Sequence, residues 1–246
     1  MNYLKHIGKY FLMLGQVFKV PQKGKIFKDS LAREVDDLGN KSLGIAAFIS
    51  FFVGGVVAIQ TALNVDSAWI PEYLIGFATK RSIILEFAPT FVSVILAGKV
   101  GSFITSSIGT MRVTEQIDAL EVMGINSLNH LVLPKIIATV FFYPFLISIA
   151  IFLGIFGGWV AGTLTGLFST TDYIDGIQLE FRPFFYYYAM IKTMVFAFVI
   201  ATVPAYHGYY VKGGSLEVGR ASTRAVVWTS VVIIVLNYFL TQILLG

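Results

Sequence analysis

The sequence predicts an all-α integral membrane protein with five transmembrane helices, preceded by an amphipathic helix in the membrane interface. Of its 246 residues, 56% are hydrophobic and 13% are charged, with a mean hydropathy of +0.77. Soluble domains carry about 25% charged residues, so this chain has about half the usual solvating groups. Its apolar residues also form runs of about 20, the length that a helix needs to cross a hydrocarbon core of about 30 Å.

Composition and motifs exclude several classes of chemistry. The chain has no cysteine, which excludes disulfides, thiolate metal sites and cysteine nucleophiles. Gly214 and Gly219 have the spacing of a phosphate-binding loop, but the Lys-Ser/Thr pair of such a loop is absent. The histidines lie far apart in the sequence. We therefore expect no catalytic residue, no metal, no cofactor and no nucleic-acid partner, and no cleavable signal peptide.

The first 42 residues predict an N-terminal unit outside the membrane core. Residues 3–20 have the spacing of an amphipathic helix that lies in the headgroup plane, although an ordinary surface helix is the alternative. The apolar residues of this helix are Leu4, Ile7, Phe11, Leu14 and Phe18, and its polar side carries Lys5, Lys9 and Gln16. Residues 21–41 are polar and charged, and we interpret them as a cytoplasmic linker.

Residues 43–246 form the predicted membrane domain. Its five predicted spans cover residues 43–63, 83–104, 136–164, 184–206 and 225–245. The third span is long enough to tilt or to extend past the bilayer. The loop after the first span has aromatic residues that suit a membrane interface, and it contains Asp66, Trp69, Pro71 and Tyr73. An acidic loop over residues 169–182 separates the third and fourth spans.

The lysines and arginines predict the orientation of the chain in the membrane. With the N-terminus inside, fourteen of them face the cytoplasm and three (Lys80, Arg81 and Arg182) face outward. The positive-inside rule therefore favours a cytoplasmic N-terminus and an external C-terminus. Lys80 and Arg81 run against the rule, but they lie near the end of a span, where long side chains snorkel toward the interface.

A glycine occurs at every fourth position near the end of the third span, at Gly154, Gly158, Gly162 and Gly166. Lipid supplies little hydrophobic drive for helix association, so a stripe of small residues allows the close backbone approach that stabilises helix pairs. These glycines predict tight helix packing and carry no information about a substrate.

The polar residues within the predicted spans include Gln60, Glu86, Lys192 and Asn237. A carboxylate inside a membrane is costly, so Glu86 either faces a wet cavity or pairs with a nearby cation. The cations nearest in the sequence are Lys80 and Arg81. We interpret the other three residues as interhelical hydrogen-bonding residues, with ligand contact as the alternative.

Residues 109–124, between the second and third spans, predict a short amphipathic helix. Thr114 is placed to cap this helix, and Glu115 falls in its first turn, where the helix dipole favours an acidic residue. The predicted apolar face consists of Val113, Ile117, Leu120 and Met123. Such a helix suits the docking of a soluble partner, and the alternative is a solvated connector.

The same region carries a specific resemblance. Residues 98–124 (GKVGSFITSSIGTMRVTEQIDALEVMG) closely resemble the MlaE/YrbE family of ABC-transporter permeases. The resemblance extends to LEFAP at 85–89 and to GRASTRAVV at 219–227. It covers the chain from the first span to the C-terminus.

The resemblance implies a homodimer in a bacterial inner membrane, with an interfacial helix and five spans in each subunit. It also implies two cytoplasmic ATPase subunits that bind the ATP, a periplasmic ring of MCE-domain lipid-binding proteins and, in some systems, a STAS-domain protein. The implied cargo is phospholipid or a related lipid, moved between the inner membrane and the outer envelope. The rival interpretations are an ion-gradient-driven secondary transporter, with Glu86 or Lys192 as the ion site, and a passive structural subunit.

The resemblance also implies roles for individual residues. It makes residues 109–124 the coupling helix that rests on the ATPase, and it places Glu86 and Gln60 beside the lipid cavity. The implied ATPase contacts are Arg112, Glu115, Gln116, Asp118 and Glu121.

The chain departs from the family pattern at three positions. Lys99 and Leu85 stand where many members have Arg, and Ser107 stands where many have Glu. These absent charges weigh against a mechanism that relies on a charged pair near Glu86.

Overall fold

The computed structural model describes residues 3–19, 24–65 and 71–245. Over these residues the chain is helical and contains no strand. The elements in chain order are α1 (Tyr3–Val17), α2 (Gly24–Glu34), a π-helical segment (Val35–Asn40), α3 (Lys41–Asn64), α4 (Tyr73–Ser82), a second π-helical segment (Ile83–Phe91), α5 (Val92–Val113), α6 (Gln116–Val122), α7 (Ser127–Thr165), α8 (Thr170–Gln178), α9 (Pro183–Tyr209) and α10 (Ser215–Leu245). Asp66 and Trp69 of the predicted interface loop lie outside the described residues.

Five helical stretches are long and apolar enough to cross a membrane. They are Phe27–Asn64, Tyr73–Val113, Ser127–Thr165, Pro183–Tyr209 and Ser215–Leu245. The predicted fold class, an all-α integral membrane protein with five spans, is thereby confirmed. The 41 residues of the second stretch extend about 60 Å at about 1.5 Å per residue, about twice the hydrocarbon thickness. The stretches therefore carry helical ends beyond the hydrocarbon.

The interpretation of residues 21–41 as a linker is wrong for the part that the structure describes. From Gly24 the chain is helical, and it continues through the first π-helical segment into α3. Polar composition does not end a helix where neither proline nor a capping signal interrupts it, and tertiary contacts stabilise this one. Leu38 is buried, and Glu34 forms an ion pair with Lys135 of α7.

The helix α1 has two apolar sides. Met13 and Val17 are fully buried against the rest of the chain, and the Tyr10 hydroxyl lies 2.7 Å from the Thr202 hydroxyl of α9. Its outward side exposes the large apolar residues Leu4, Ile7, Phe11 and Leu12. A helix that is docked on one side and apolar on the other favours an interfacial position over an ordinary surface helix.

Glycines bring α3 and α7 into backbone contact. A Cβ built on Gly54 lies 1.8 Å from the Gly154 carbonyl oxygen, and one on Gly157 lies 2.0 Å from the Phe51 carbonyl oxygen. Neither atom can exist at such a distance, so both positions require glycine. Gly157 lies outside the predicted every-fourth-residue stripe because the contact also uses the adjacent row of α7. Gly54 lies outside it because it belongs to the partner helix α3.

The four glycines of the predicted stripe lie in different environments. Gly154 faces α3, whereas Gly158 makes room for the Tyr173 hydroxyl and Gly162 for the Phe168 ring. Burial raises the pKa of Tyr173, and its hydroxyl donates to the Ile155 carbonyl oxygen at 3.1 Å. The packing prediction is wrong for Gly166, which ends α7 with a φ of 67° and has no atom within 4 Å of a Cβ. Glycine occupies this position because the left-handed conformation favours it.

Candidate functional site

The second π-helical segment carries Glu86 and has Pro89 inside it. Proline has no N–H, so the Leu85 carbonyl lacks its α-helical donor four residues on, and the helix widens locally. The Lys192 Nζ atom of α9 donates to this carbonyl at 3.1 Å. The local break in helix geometry thus creates an acceptor that a second span uses.

Glu86 is the centre of a polar network that joins three membrane helices. Lys192 Nζ lies 2.8 Å from its Oε1 atom, and Asn237 Nδ2 of α10 donates to its Oε2 atom at 3.1 Å. The hydroxyls of Thr90 and Thr241 complete the network, at 3.1 Å from Oε2 and 3.3 Å from Oε1. Thr90 is also 2.9 Å from Asn237 Oδ1, so its single proton serves one of two acceptors.

The two charges of this network differ in their environments. The Lys192 side chain is fully buried, whereas 41% of the Glu86 side chain is exposed in the single subunit. A buried ammonium requires a counter-charge, and breaking such a pair costs about 3–5 kcal/mol. Glu86 therefore neutralises Lys192 on one side and remains open on the other. The open side is the part of the network that a ligand can reach.

Glu86 pairs with Lys192 and not with Lys80 or Arg81, the cations nearest to it in the sequence. Lys80 does not snorkel but is buried, and its Nζ atom donates to the carbonyl oxygens of Ile177 and Leu179 at 3.0 and 2.6 Å. The Arg81 guanidinium lies over the Phe185 ring, 5.1 Å from its centroid. Leu85 stands where many family members have Arg, but a charged pair is still present because Lys192 supplies the cation from another span.

Gln60 is not brought to the network. It lies on the exposed side of α3 near the end of that helix, and within the described chain its side chain forms no hydrogen bond. Asn237 differs, since it links α10 to Glu86 as an interhelical hydrogen-bonding residue.

The second candidate region is the junction between α5 and α6, where the predicted capping is wrong. Thr114 ends α5, and its hydroxyl donates to the Thr110 carbonyl oxygen at 2.9 Å. Glu115 adopts the left-handed conformation, with a φ of 60°, and the short helix α6 starts only at Gln116. The predicted single helix over residues 109–124 is therefore the end of one helix, a tight turn and a second helix.

Three of the expected ATPase contacts bond within the chain. Arg112 and Asp118 form an ion pair at 2.7 Å, and Glu121 Oε1 accepts hydrogen bonds from the hydroxyls of Ser127 and Tyr209, both at 2.9 Å. The ion pair joins α6 to α5, and the bonds of Glu121 join α6 to α7 and α9. Sequence spacing does not predict the bonds of Glu121, because Tyr209 is far away in the sequence and a turn separates Ser127 from α6.

The outward side of α6 carries the remaining residues. Glu115 and Gln116 are exposed, and their side chains form no hydrogen bond within the described chain. Ile117 is buried as predicted, but Met123 is 65% exposed, and Val122 is 89% exposed. The predicted apolar face is therefore wrong at Met123, because the helix ends at Val122 and the chain turns away.

Residues 31–243 match the family described as Permease MlaE. The chain belongs to this family. Both the Glu86 network and the α5–α6 junction lie within the matched residues, and the five spans make this member of the MlaE permease family a multi-pass membrane protein. The resemblance found in the sequence is confirmed.

The chain is also similar to proteins from bacteria and from a plant. The probable ABC transporter permease protein RP096 of Rickettsia prowazekii is 33% identical, over 95% of this chain and 88% of its own length. The intermembrane phospholipid transport system permease protein MlaE of Haemophilus influenzae is 28% identical, over 100% of this chain and 94% of its own length. The chloroplastic protein TRIGALACTOSYLDIACYLGLYCEROL 1 of Arabidopsis thaliana is 30% identical, over 94% of this chain and 66% of its own length.

Proposed function

We propose that this MlaE-family chain is the permease subunit of an ABC transporter that moves phospholipid between the inner membrane and the outer envelope. The observation that carries the proposal is the Glu86 network, in which a charged pair lies inside an apolar helical bundle and keeps one carboxylate face open. A phospholipid has a charged headgroup and apolar chains. The network suits the headgroup, and the surrounding apolar walls suit the chains, for which leaving hydrocarbon costs about 0.8 kcal/mol per CH₂.

The energy comes from a separate cytoplasmic ATPase that binds the ATP and pushes on α6. The support for this step is mechanical, because Glu121 ties α6 to Tyr209 at the end of α9. Lys192 lies 17 residues earlier on the same helix, about 26 Å away at about 1.5 Å per residue. A displacement of α6 is therefore transmitted along α9 to Lys192, the residue that pairs with the Glu86 carboxylate. Transport follows if the two positions of α9 bind lipid with different affinity.

Two copies of the chain enclose the lipid path in this proposal. The apolar stretch of α10 is only about one-tenth buried within the subunit, and it exposes a row of large side chains that includes Trp228, Val231, Ile234 and Val235. A second copy or lipid covers such a row. The N-terminus and α6 face the cytoplasm, and the C-terminus faces the periplasm, where an MCE-domain protein receives or delivers the lipid. A STAS-domain protein belongs to the assembly in some systems.

The test of ATPase coupling uses the exposed residues of the α5–α6 junction. The double variant Glu115→Lys/Gln116→Lys reverses the local charge without breaking a hydrogen bond, because neither side chain forms one within the described chain. We expect loss of co-purification with the ATPase and loss of ATP-dependent lipid transfer in proteoliposomes. The matched control is Asp175→Lys, which changes an exposed residue of α8 at the other end of α7 and is expected to retain both.

The rival function is an ion-gradient-driven secondary transporter of a hydrophobic substrate. The observation that favours it is the same Glu86–Lys192 pair, since ionisable pairs inside membranes also serve as proton sites. Retained ATPase binding and unchanged transport in the double variant, with transport abolished by an uncoupler, would favour the rival and contradict the proposal.

A further inference from the structure

A separate cavity lies between α4, α7 and the beginning of α9. Its volume is about 260 Å³, slightly below the range of about 300–1,000 Å³ that small-molecule sites occupy. Ile84, Ile151 and Ile155 form part of its apolar wall, and Glu86 does not line it. The cavity can therefore hold part of an amphiphile, and it is distinct from the Glu86 network.

The rim of this cavity carries three cations and one carboxylate. Lys80, Arg81, Arg182 and Glu180 all line it. Glu180 pairs with Arg182, and Lys80 donates to two carbonyl oxygens. Arg81 forms neither an ion pair nor a hydrogen bond within the described chain; its guanidinium contacts only aromatic rings, Phe185 at 5.1 Å and Phe77 at 6.0 Å. The rim thus has a net positive charge and one cation whose hydrogen-bond donors are unused.

The cavity is oriented like a lipid in a membrane. Arg81 precedes the apolar residues of the second span by two positions, and Arg182 directly precedes α9. The charged rim therefore lies beside the first residues of two apolar helical segments, Ile83–Phe91 and α9. The apolar wall continues along α7 through Ile155, Phe152 and Ile151. Phe152 also lines the cavity and is 68% exposed, so the cavity opens on the outer apolar surface of the subunit.

We propose that this cavity binds one anionic phospholipid, with its phosphate at Arg81 and Arg182 and one acyl chain along α7. The planar guanidinium groups present paired donors that match phosphate oxygens. The excess of positive charge favours an anionic headgroup over a zwitterionic one. Since the cavity is formed by α4, α7 and the loop that follows α8, the bound lipid joins these elements from outside the bundle. It is a resident lipid and not the cargo, so the proposal depends on the membrane location and not on the proposed function.

The test is a titration of the purified full-length chain in detergent with phosphatidylglycerol or phosphatidylcholine, followed by native mass spectrometry. We expect the strongest site to take one phosphatidylglycerol per chain. Arg81→Gln is expected to weaken this site about tenfold, because one charge-assisted interaction is lost. The matched control is Arg220→Gln, which removes an exposed arginine near the beginning of α10 and is expected to change nothing.

Two further variants establish whether the lipid occupies this cavity or the Glu86 network. Ile155→Phe fills the apolar wall and is expected to remove the bound lipid while the thermal unfolding temperature stays within a few degrees. The double variant Glu86→Gln/Lys192→Met removes both charges of the network without leaving one of them buried and unpaired, and it is expected to retain the lipid while abolishing transport. Equal binding of the two lipids, an unchanged Arg81→Gln variant, or loss of the lipid in this double variant would each overturn the proposal.

Discussion

Lys192 is fully buried in α9, and the carboxylate of Glu86 is the anion within hydrogen-bonding distance of its ammonium. Each residue taken alone is a lone ionisable group in an apolar span, and the sequence supports several partners for it. The pair depends on how the second π-helical segment and α9 pack against each other, which the sequence alone does not show. What the sequence does supply is the requirement for a partner, because neither charge is stable in hydrocarbon alone.

The pair predicts an asymmetric response to substitution. Glu86→Gln leaves a buried ammonium without a counter-charge, and we expect it to destabilise the protein by about 3–5 kcal/mol. Lys192→Met is expected to cost less, because the Glu86 carboxylate is 41% exposed and can be hydrated. The double variant should recover most of the stability lost in Glu86→Gln, but it should not transport lipid.

Thermal and denaturant unfolding in detergent, together with the lipid-transfer assay, would measure these effects. Gln60→Ala is the control, since Gln60 lies outside the network and its side chain forms no hydrogen bond within the described chain. Equal destabilisation by the two single variants, or no recovery in the double variant, would contradict the assigned charge pair.

At the scale of elements, hydropathy located the five spans but not their ends. The apolar run defines the part of a helix that is in hydrocarbon, whereas a helix continues into water until a cap or a breaker stops it. The chain from Gly24 to Asn64 shows this, since its polar first half is helical up to the apolar span. The left-handed Glu115 was also missed, because no glycine or asparagine marks that turn in the sequence.

The contact between α3 and α7 predicts which glycines are essential. Gly54→Ala places a methyl group against the Gly154 carbonyl, and backbone cannot yield as a flexible side chain can. We expect a loss of at least about 1–3 kcal/mol, the usual cost of overpacking. The matched control is Gly44→Ala in the same helix, where a Cβ meets no atom within 4 Å. That variant should be stabilised by about 0.5–1 kcal/mol, as is usual when alanine replaces glycine within a helix.

Unfolding midpoints of the two variants in the same detergent would separate the helix propensity of alanine from the steric clash between a Cβ at position 54 and the backbone of α7. If both substitutions shifted stability in the same direction, the backbone contact between α3 and α7 would be disproved. The sequence predicted tight packing by α7, but the partner helix and the most restricted glycines depended on how the two surfaces meet.

At the scale of the whole molecule, polar contacts lie at both ends of α9. Glu121 of α6 accepts from Tyr209 at the end of α9, and Lys80 donates to carbonyl oxygens at the end of α8, shortly before α9 begins. This second contact gives Lys80 a structural role, which accounts for a lysine on the side where the positive-inside rule disfavours one in the proposed orientation. Its ammonium satisfies carbonyl groups that the end of a helix leaves without donors, and the helix dipole favours a cation there.

The absence of cysteine from the chain makes the proposed orientation directly testable. Met123→Cys introduces an exposed thiol beyond α6, and Asp175→Cys introduces one on α8, on the opposite side of the third span. A membrane-impermeant maleimide added to intact spheroplasts should label Asp175→Cys and leave Met123→Cys unlabelled until the inner membrane is opened. The expectation follows from the excess of lysine and arginine on the side that holds α6. Labelling of Met123→Cys in intact spheroplasts would place α6 outside, where no ATP-driven motor can push it, and the coupling mechanism would fail together with the orientation.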